Sequence, residues 1–231
     1  AHRLLVPSRS TARDLADRGA DPTRIAVTPL APALPTATGD PGPVLERLKI
    51  PRPYVVCPAT IEPRKNQAIL VRAFRQAAAE LPHALVLAGP VGWRTGSLEA
   101  ELARGGPGTI VRTGGLSAED LDAVYRGADA VAYPSRYEGF GLVIVEAMAR
   151  GVPVVTSTTP ACSEVAGDAA LLVDPDDVGG LADALVRACT DAGLRAELVR
   201  RGRRRVEGLS WAATAHATLR AYRQALAEVR G

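Results

Sequence analysis

Two cations, Arg64 and Lys65, stand side by side in the segment TIEPRKN at residues 60–66, directly after a short apolar run. They fall where a helix begins. The unpaired amides of a helix N-terminus favour acidic side chains, so adjacent cations there oppose the helix dipole. That conflict is resolved when an anion such as a phosphate arrives, because the same amides attract it. Lysine usage adds weight, since Lys49 and Lys65 are the only lysines in 231 residues. The plainer reading is a solvated basic turn paired with Glu62.

A second segment, SRYEGFGLVIVEAMARG at 135–151, brackets Phe140 with Gly139 and Gly141 at a strand-to-helix junction. Glycine lets backbone approach a ligand closely. The first amides of the following helix point out towards a phosphate. Glu138 precedes that helix, and Glu146 is expected about two turns into it, on the face of Leu142. VIV before Glu146 and AMA after it make its surroundings apolar, so its carboxylate requires a partner. In dinucleotide folds such a group accepts bonds from two ribose hydroxyls; the alternative is an ordinary helix-surface glutamate. A third segment, RTGGLS at 112–117, again runs from strand through glycines to a capped helix, and Gly114 and Gly115 can present backbone to a flat base.

Two other patterns read as structure. Asp174-Pro175-Asp176 matches a metal-binding DxD, but Pro175 and Asp177 suit a turn and a helix cap. Glu138 and Glu146 could be taken for a glycosidase pair, yet two carboxylates before and along one helix are poorly placed to flank one bond.

The elements that must position these residues are legible as short apolar runs: RLLV (3–6), RIAVT (24–28), YVVCPA (54–59), ALVLAG (84–89), TIVRTG (109–114), AVAYPS (130–135), PVVTS (153–157) and ALLVDP (170–175). Most lack two-residue alternation and read as strands buried on both faces. Helical stretches separate them, one from Asn66 to Glu80 with an amphipathic face and one capped by Ser117. The alternation predicts a doubly wound, Rossmann-like parallel α/β sheet. Pro29 to Pro53 reads as a loop or linker, and the tail from Asp177 to Gly231 as helices broken at Gly193 and Gly208. The expected division is a short N-terminal strand/helix segment with linker, 1–53, and a binding domain, 54–231.

Composition excludes several classes. With 47% hydrophobic and 23% charged residues the chain is globular rather than disordered. A net charge of +3 is too small to argue for nucleic acid. No apolar run of about 18 residues and no signal-peptide pattern is present. Cys57, Cys162 and Cys189 are odd in number and widely spaced, which predicts free thiols and a reducing, cytoplasmic compartment. His2, His83 and His216 form no ligand motif. The sole methionine is Met148 and the sequence starts at Ala1, which raises the expectation of a missing N-terminal segment.

Taken in order, EPRKN (62–66), TGGLS (113–117), PSRYEGFGL (134–142), EAMARGVPVV (146–155), SEVAGDAALLVDP (163–175) and the closing Ser210-Trp211 resemble the donor-binding, C-terminal half of a retaining glycosyltransferase of the GT-B fold, family GT4. Glu138 and Glu146 match its E-x7-E pair. The resemblance implies that Arg64 and Lys65 grip the diphosphate of a nucleotide sugar and that Glu138 faces the donor sugar. Glu146 would hold the ribose. The backbone of Gly139, Phe140, Gly141, Leu142 and Val143 would meet sugar and phosphate, and Gly89, Gly115 and Leu116 would line the rest of the donor site. It also implies no metal and no cofactor, because cations and a helix N-terminus stabilise the departing diphosphate. The donor would be GDP-mannose or a UDP-sugar. An N-terminal acceptor domain would complete the enzyme of polysaccharide biosynthesis, whose full-length form could touch a membrane surface. The chain departs from the family at Ala59-Thr60, where a Gly-Arg is common, and at Val143, where a proline is common. A sugar-nucleotide epimerase of the same fold and a non-catalytic sugar-nucleotide binding module remain as alternatives.

Overall fold

The computed structural model describes residues 2–34 and 37–230; Ala1, the linker residues Pro35 and Thr36, and Gly231 lie outside the described residues. Each of the eight apolar runs contains a strand: β1 (Leu4–Val6), β2 (Ile25–Val27), β3 (Tyr54–Cys57), β4 (Ala84–Ala88), β5 (Thr109–Gly114), β6 (Ala130–Tyr133), β7 (Val154–Ser157) and β8 (Leu171–Val173). The helices are α1 (Arg9–Ala16), α2 (Gly42–Arg47), α3 (Gln67–Ala77), α4 (Gly96–Ala103), α5 (Ala118–Arg126), α6 (Leu142–Ala149), α7 (Pro160–Ala166), α8 (Val178–Thr190), α9 (Ala192–Glu207) and α10 (Trp211–Arg230).

Strands β3 to β8 form one parallel sheet in the order β5-β4-β3-β6-β7-β8, while β1 and β2 pair in a separate two-stranded parallel sheet. The lack of alternation in the apolar runs now has its cause. In β3, Tyr54 and Val56 face a core built with Ile144, Val145 and Met148 of α6. Val55 and Cys57 face the opposite core, built with Leu70, Phe74 and Ala77 of α3 and Leu181 and Leu185 of α8. Both faces are covered, so both need apolar residues.

The order of the strands decides where a site can lie. From β3 the chain winds outward through β4 to β5, then returns to place β6 on the other side of β3. The loops leaving β3 and β6 therefore diverge to opposite faces of the sheet and leave a crevice at the carboxyl ends of the strands. That crevice receives Arg64 and Lys65 from one loop and Glu138 from the other.

Three expectations are corrected. The stretch Pro29–Pro53 is not all loop, because α2 forms at Gly42–Arg47 and buries Leu45 in the core. The tail breaks at Asp191 rather than Gly193: Asp191 ends α8 and its carboxylate accepts from Leu194 N at 2.9 Å to start α9, a strong cap that overrides the glycine signal. Glu146 lies about one turn into its helix, not two, because α6 starts only at Leu142. Gly141 has φ 102°, outside the right-handed helical region, which delays that start.

The DxD pattern is a turn. Asp174 Oδ1 accepts from Asp176 N at 2.8 Å, Asp176 pairs with Arg136, and Asp177 Oδ1 caps α8 by accepting from Gly180 N at 2.8 Å. The three cysteines are free thiols, and burial pushes Cys57 and Cys189 up to about 12. Among the described residues no helix is long and apolar enough to cross a membrane.

Candidate functional site

The loop after β3 closes in a single 3-10 turn, Pro63–Lys65, followed by Asn66 in the left-handed region at φ 62°. Asparagine tolerates that conformation better than most residues. Its Nδ2 donates to Pro134 O at 3.2 Å and Pro175 O at 2.7 Å, tying three strand-end loops together. Arg64 O accepts from Arg136 N at 2.8 Å and Ser135 Oγ at 3.0 Å, which locks the β3 and β6 loops against each other. This turn is what carries Lys65 inward until it is buried.

Glu138 is the hub. Its Oε1 accepts from Lys65 Nζ at 2.7 Å, Tyr133 OH at 2.6 Å and Ser135 Oγ at 2.6 Å. Its Oε2 accepts from Arg64 Nη1 at 2.8 Å. Burial alone would raise the Glu138 carboxyl, but the bonds from Lys65, Ser135 and Tyr133 and the lysine charge outweigh it and hold the group below the usual glutamate range. For Arg64, burial is outweighed by Glu138 and Glu62, so its pKa is raised. The anions that the two cations meet in this structure are the protein's own carboxylates, Glu138 for both and, as in the plainer reading, Glu62 for Arg64. Glu62 also takes Arg64 Nη2 at 2.6 Å and Trp93 Nε1 at 3.0 Å.

A cavity of about 350 Å³ opens onto this cluster, lined by Lys65, Tyr133, Glu138 and the continuous segment Gly139, Phe140, Gly141, Leu142 and Val143, with Pro7 and Leu30 at its edge. The amides of Leu142 and Val143 open α6 and have no intrahelical acceptor. The cavity therefore combines an ammonium, a carboxylate and a helix N-terminus, an arrangement that suits a phosphate beside a group that becomes positively charged. Its edge is held by the N-terminal unit. Gly139 O accepts from Ser8 Oγ at 2.6 Å and Thr11 Oγ1 at 3.0 Å, and Glu164 accepts from Arg9 N at 2.9 Å and Ser10 N at 2.8 Å.

Glu146 stands apart from the residues lining this cavity. Its Oε1 accepts from the linker amides of Ala33 and Leu34, the latter at 2.9 Å, and its Oε2 from Arg150 Nη1 at 2.6 Å. Arg150 continues through Nε to Asp122 Oδ1 at 2.8 Å, and Asp122 Oδ2 takes Arg126 Nε at 2.8 Å. The partner that the apolar neighbourhood demanded is thus an arginine one helical turn on, at the i,i+4 spacing that the sequence itself carries. Gly89 does not line the cavity either. A Cβ there would come within 2.2 Å of Ala59 O, so this glycine serves the close passage of two loops. Gly115 lies beside Pro90, and Leu116 packs on the core. Tyr133, Ser135 and Asn66 escape sequence reasoning, since nothing in the strand-end Tyr-Pro-Ser marks its hydroxyls as aimed at Glu138, and nothing after Lys65 marks the Asn66 amide as aimed at the carbonyls of Pro134 and Pro175. Among the described residues no group of three or more His, Cys, Asp or Glu gathers as a metal site.

Residues 52–191 match the family model described as Glycosyl transferases group 1, and the chain belongs to that family. The sheet and its C-terminal helices are the Rossmann-like half of the GT-B fold. The chain is 35% identical over 207 residues to an O-antigen chain mannosyltransferase B of Escherichia coli, covering 87% of this chain and 54% of that protein. It is 38% identical over 256 aligned residues to a D-inositol 3-phosphate glycosyltransferase of Salinispora tropica, covering 100% of this chain and 52% of the relative. The chain therefore spans about half the length of these curated relatives. Among solved structures it resembles a sucrose-phosphate synthase from Thermosynechococcus elongatus, with TM-score 0.76 and 27% identity over 97% of this chain and 58% of that one. The Anabaena HepE structure, in complex with UDP-glucose, shares the fold at TM-score 0.76 and 21% identity, covering 100% of this chain and 64% of that one.

Proposed function

We propose that this chain is the donor-binding half of a glycosyltransferase that takes a nucleotide-diphosphate sugar and transfers the sugar with retention of configuration. One observation carries the reading: Lys65 and Glu138 meet at the N-terminus of α6 in one cavity, with Arg64 bonded to Glu138 from behind. Lys65 and the α6 amides would hold the diphosphate, and Glu138 would face the sugar. As the glycosidic bond lengthens, negative charge grows on the diphosphate and positive charge on the sugar, and the two fixed charges match that separation. No metal takes part in this scheme.

Residues 54–231 form the donor domain in this reading, and residues 1–53 the adjoining segment and linker. The acceptor contacts belong to a further domain, so this chain alone does not transfer sugar. Glu146 supplies a ribose contact through the capacity its carboxylate retains beyond the three bonds seen here. The donor in this reading is GDP-mannose, for which the mannosyltransferase relative supports only the sugar, with a UDP-sugar as the alternative. Calorimetric titration with GDP, UDP and ADP, each with and without its sugar and with a chelator present, tests the reading. Tight binding of one diphosphate and its sugar conjugate supports it. Failure of all three nucleotides, or acceptor-dependent transfer by this chain, overturns the corresponding part.

A further inference from the structure

Lys65 and Glu138 do not meet by direct contact alone. The phenol of Tyr133, at the end of β6, closes a triangle with them: Lys65 Nζ lies 2.6 Å from Tyr133 OH, Tyr133 OH lies 2.6 Å from Glu138 Oε1, and Lys65 Nζ lies 2.7 Å from that same oxygen. The chemistry of the partners settles the direction of both bonds. An ammonium only donates and a carboxylate only accepts, so the phenol must accept from Lys65 and donate its single proton to Glu138. Its ring also lies under the ammonium, 5.0 Å from Nζ to the centroid.

The phenol has no freedom to do otherwise. Tyr133 is 2% exposed and its ring is part of the core that packs against α6. Thr156 Oγ1 donates to its carbonyl at 2.7 Å, and β6 is paired to β7 through Tyr133 and Thr156. Burial and the neighbouring Glu138 both raise the phenol's pKa, so it stays a neutral donor. A rigid strand thereby presents one hydroxyl that uses one of three ammonium protons and one acceptor position on Glu138 Oε1. A second ammonium proton goes to Glu138, and the third remains for the cavity that Lys65 lines.

We infer that Tyr133 is a positioning residue that fixes the orientation of the contacting Lys65–Glu138 pair, so that the ammonium keeps a proton turned to the diphosphate while the carboxylate faces the sugar. The inference rests on the donor-binding reading above. Without the phenol, the ammonium is held by the carboxylate alone and is free to turn its remaining protons away from the phosphate. Phenylalanine at this position keeps the ring and its packing and removes only the bridging oxygen.

The test uses the 231-residue chain, with GDP and UDP and their monophosphates as probes. Tyr133→Phe should weaken binding of the preferred diphosphate roughly 10-fold or more and the monophosphate less than about twofold. Lys65→Ala should show the same selectivity. The double variant Tyr133→Phe/Lys65→Ala should bind no worse than Lys65→Ala, because the tyrosine acts through the lysine. Unchanged diphosphate affinity in Tyr133→Phe, additive losses in the double variant, or equal losses for mono- and diphosphate would each overturn the inference. Lysine-selective 15N NMR of the unmutated chain gives a readout that does not depend on the variant folding. With only Lys49 and Lys65 present, the Lys65 ammonium should be visible and slow to exchange, and the exposed Lys49 should not. Absence of a protected ammonium sinks the bridge. If the unmutated chain binds no nucleotide while the ammonium is protected, the donor reading has failed and the assignment of Tyr133 to it goes too.

Discussion

Glu138 and Glu146 stand eight positions apart, and both are buried, but they are held by opposite kinds of partner. Glu138 is met by groups from the strand-end loops, and one of its cations, Lys65, also lines a cavity. Glu146 is met by Arg150, whose side chain is fully buried, and by amides of the linker that crosses above it. The first charge is kept near a space that a ligand can enter. The second joins helix α6, helix α5 and the linker through Arg150 and Asp122. A motif that spaces two glutamates evenly thus contains one carboxylate turned to the crevice and one turned largely to the protein.

The largest effect should come from breaking the second network. Arg150→Ala leaves Glu146 and Asp122 buried without their shared cation, which should cost about 3–5 kcal/mol in urea denaturation. A loss below about 1 kcal/mol would mean that the network is not structural and would erase the contrast. Lys65→Ala, by comparison, leaves Glu138 with Arg64, Tyr133 and Ser135. It should destabilise the chain less, yet weaken nucleotide diphosphate binding roughly 10- to 150-fold, with the free nucleoside nearly unaffected. Equal losses for nucleoside and diphosphate would assign Lys65 to folding instead.

The two glutamates can then be separated directly. Glu146→Ala should weaken every nucleotide, the bare diphosphate included, by roughly 10-fold if it reaches the ribose. Glu138→Ala should leave the bare diphosphate nearly intact and remove the added affinity of the sugar-bearing donor. Calorimetry on both variants decides it. Loss of stability in Glu146→Ala with unchanged nucleotide binding would confine that residue to the linker network.

The smallest effect is on acid stability. Glu138 has a lowered pKa in the fold, whereas an unfolded glutamate titrates near about 4.3. Between those values the unfolded chain binds the extra proton, so stability is present above the unfolded pKa and is lost as pH falls through the folded one. Glu138→Gln should flatten that acid slope in denaturation midpoints. Asp122, lowered by its bonds to Arg126, Ala37 and Arg150 against the cost of burial, keeps its own share of the slope. An unchanged slope in Glu138→Gln would show that the bonds around Glu138 do not favour its charged form.

The sequence by itself determined the strands and the doubly wound sheet, because burial on both faces writes unbroken apolar runs and helix caps write Ser117 and Asp177 into the chain. It also determined that Arg64, Lys65 and Glu138 sit at strand ends, where such sheets bind ligands. Helix α2 was hidden, since proline and glycine around a six-residue element outweigh its weak apolar signal. What only the tertiary structure decided was which groups satisfy which charges. Glu138 finds Lys65 across 73 positions and Glu146 finds Leu34 across 112, and such pairings depend on the strand order and the path of the linker rather than on local spacing. Tyr133 carries the same lesson: its hydroxyl looks like any strand-end tyrosine until the adjacency of β3 and β6 brings a lysine, 68 positions away, against it and the nearby Glu138.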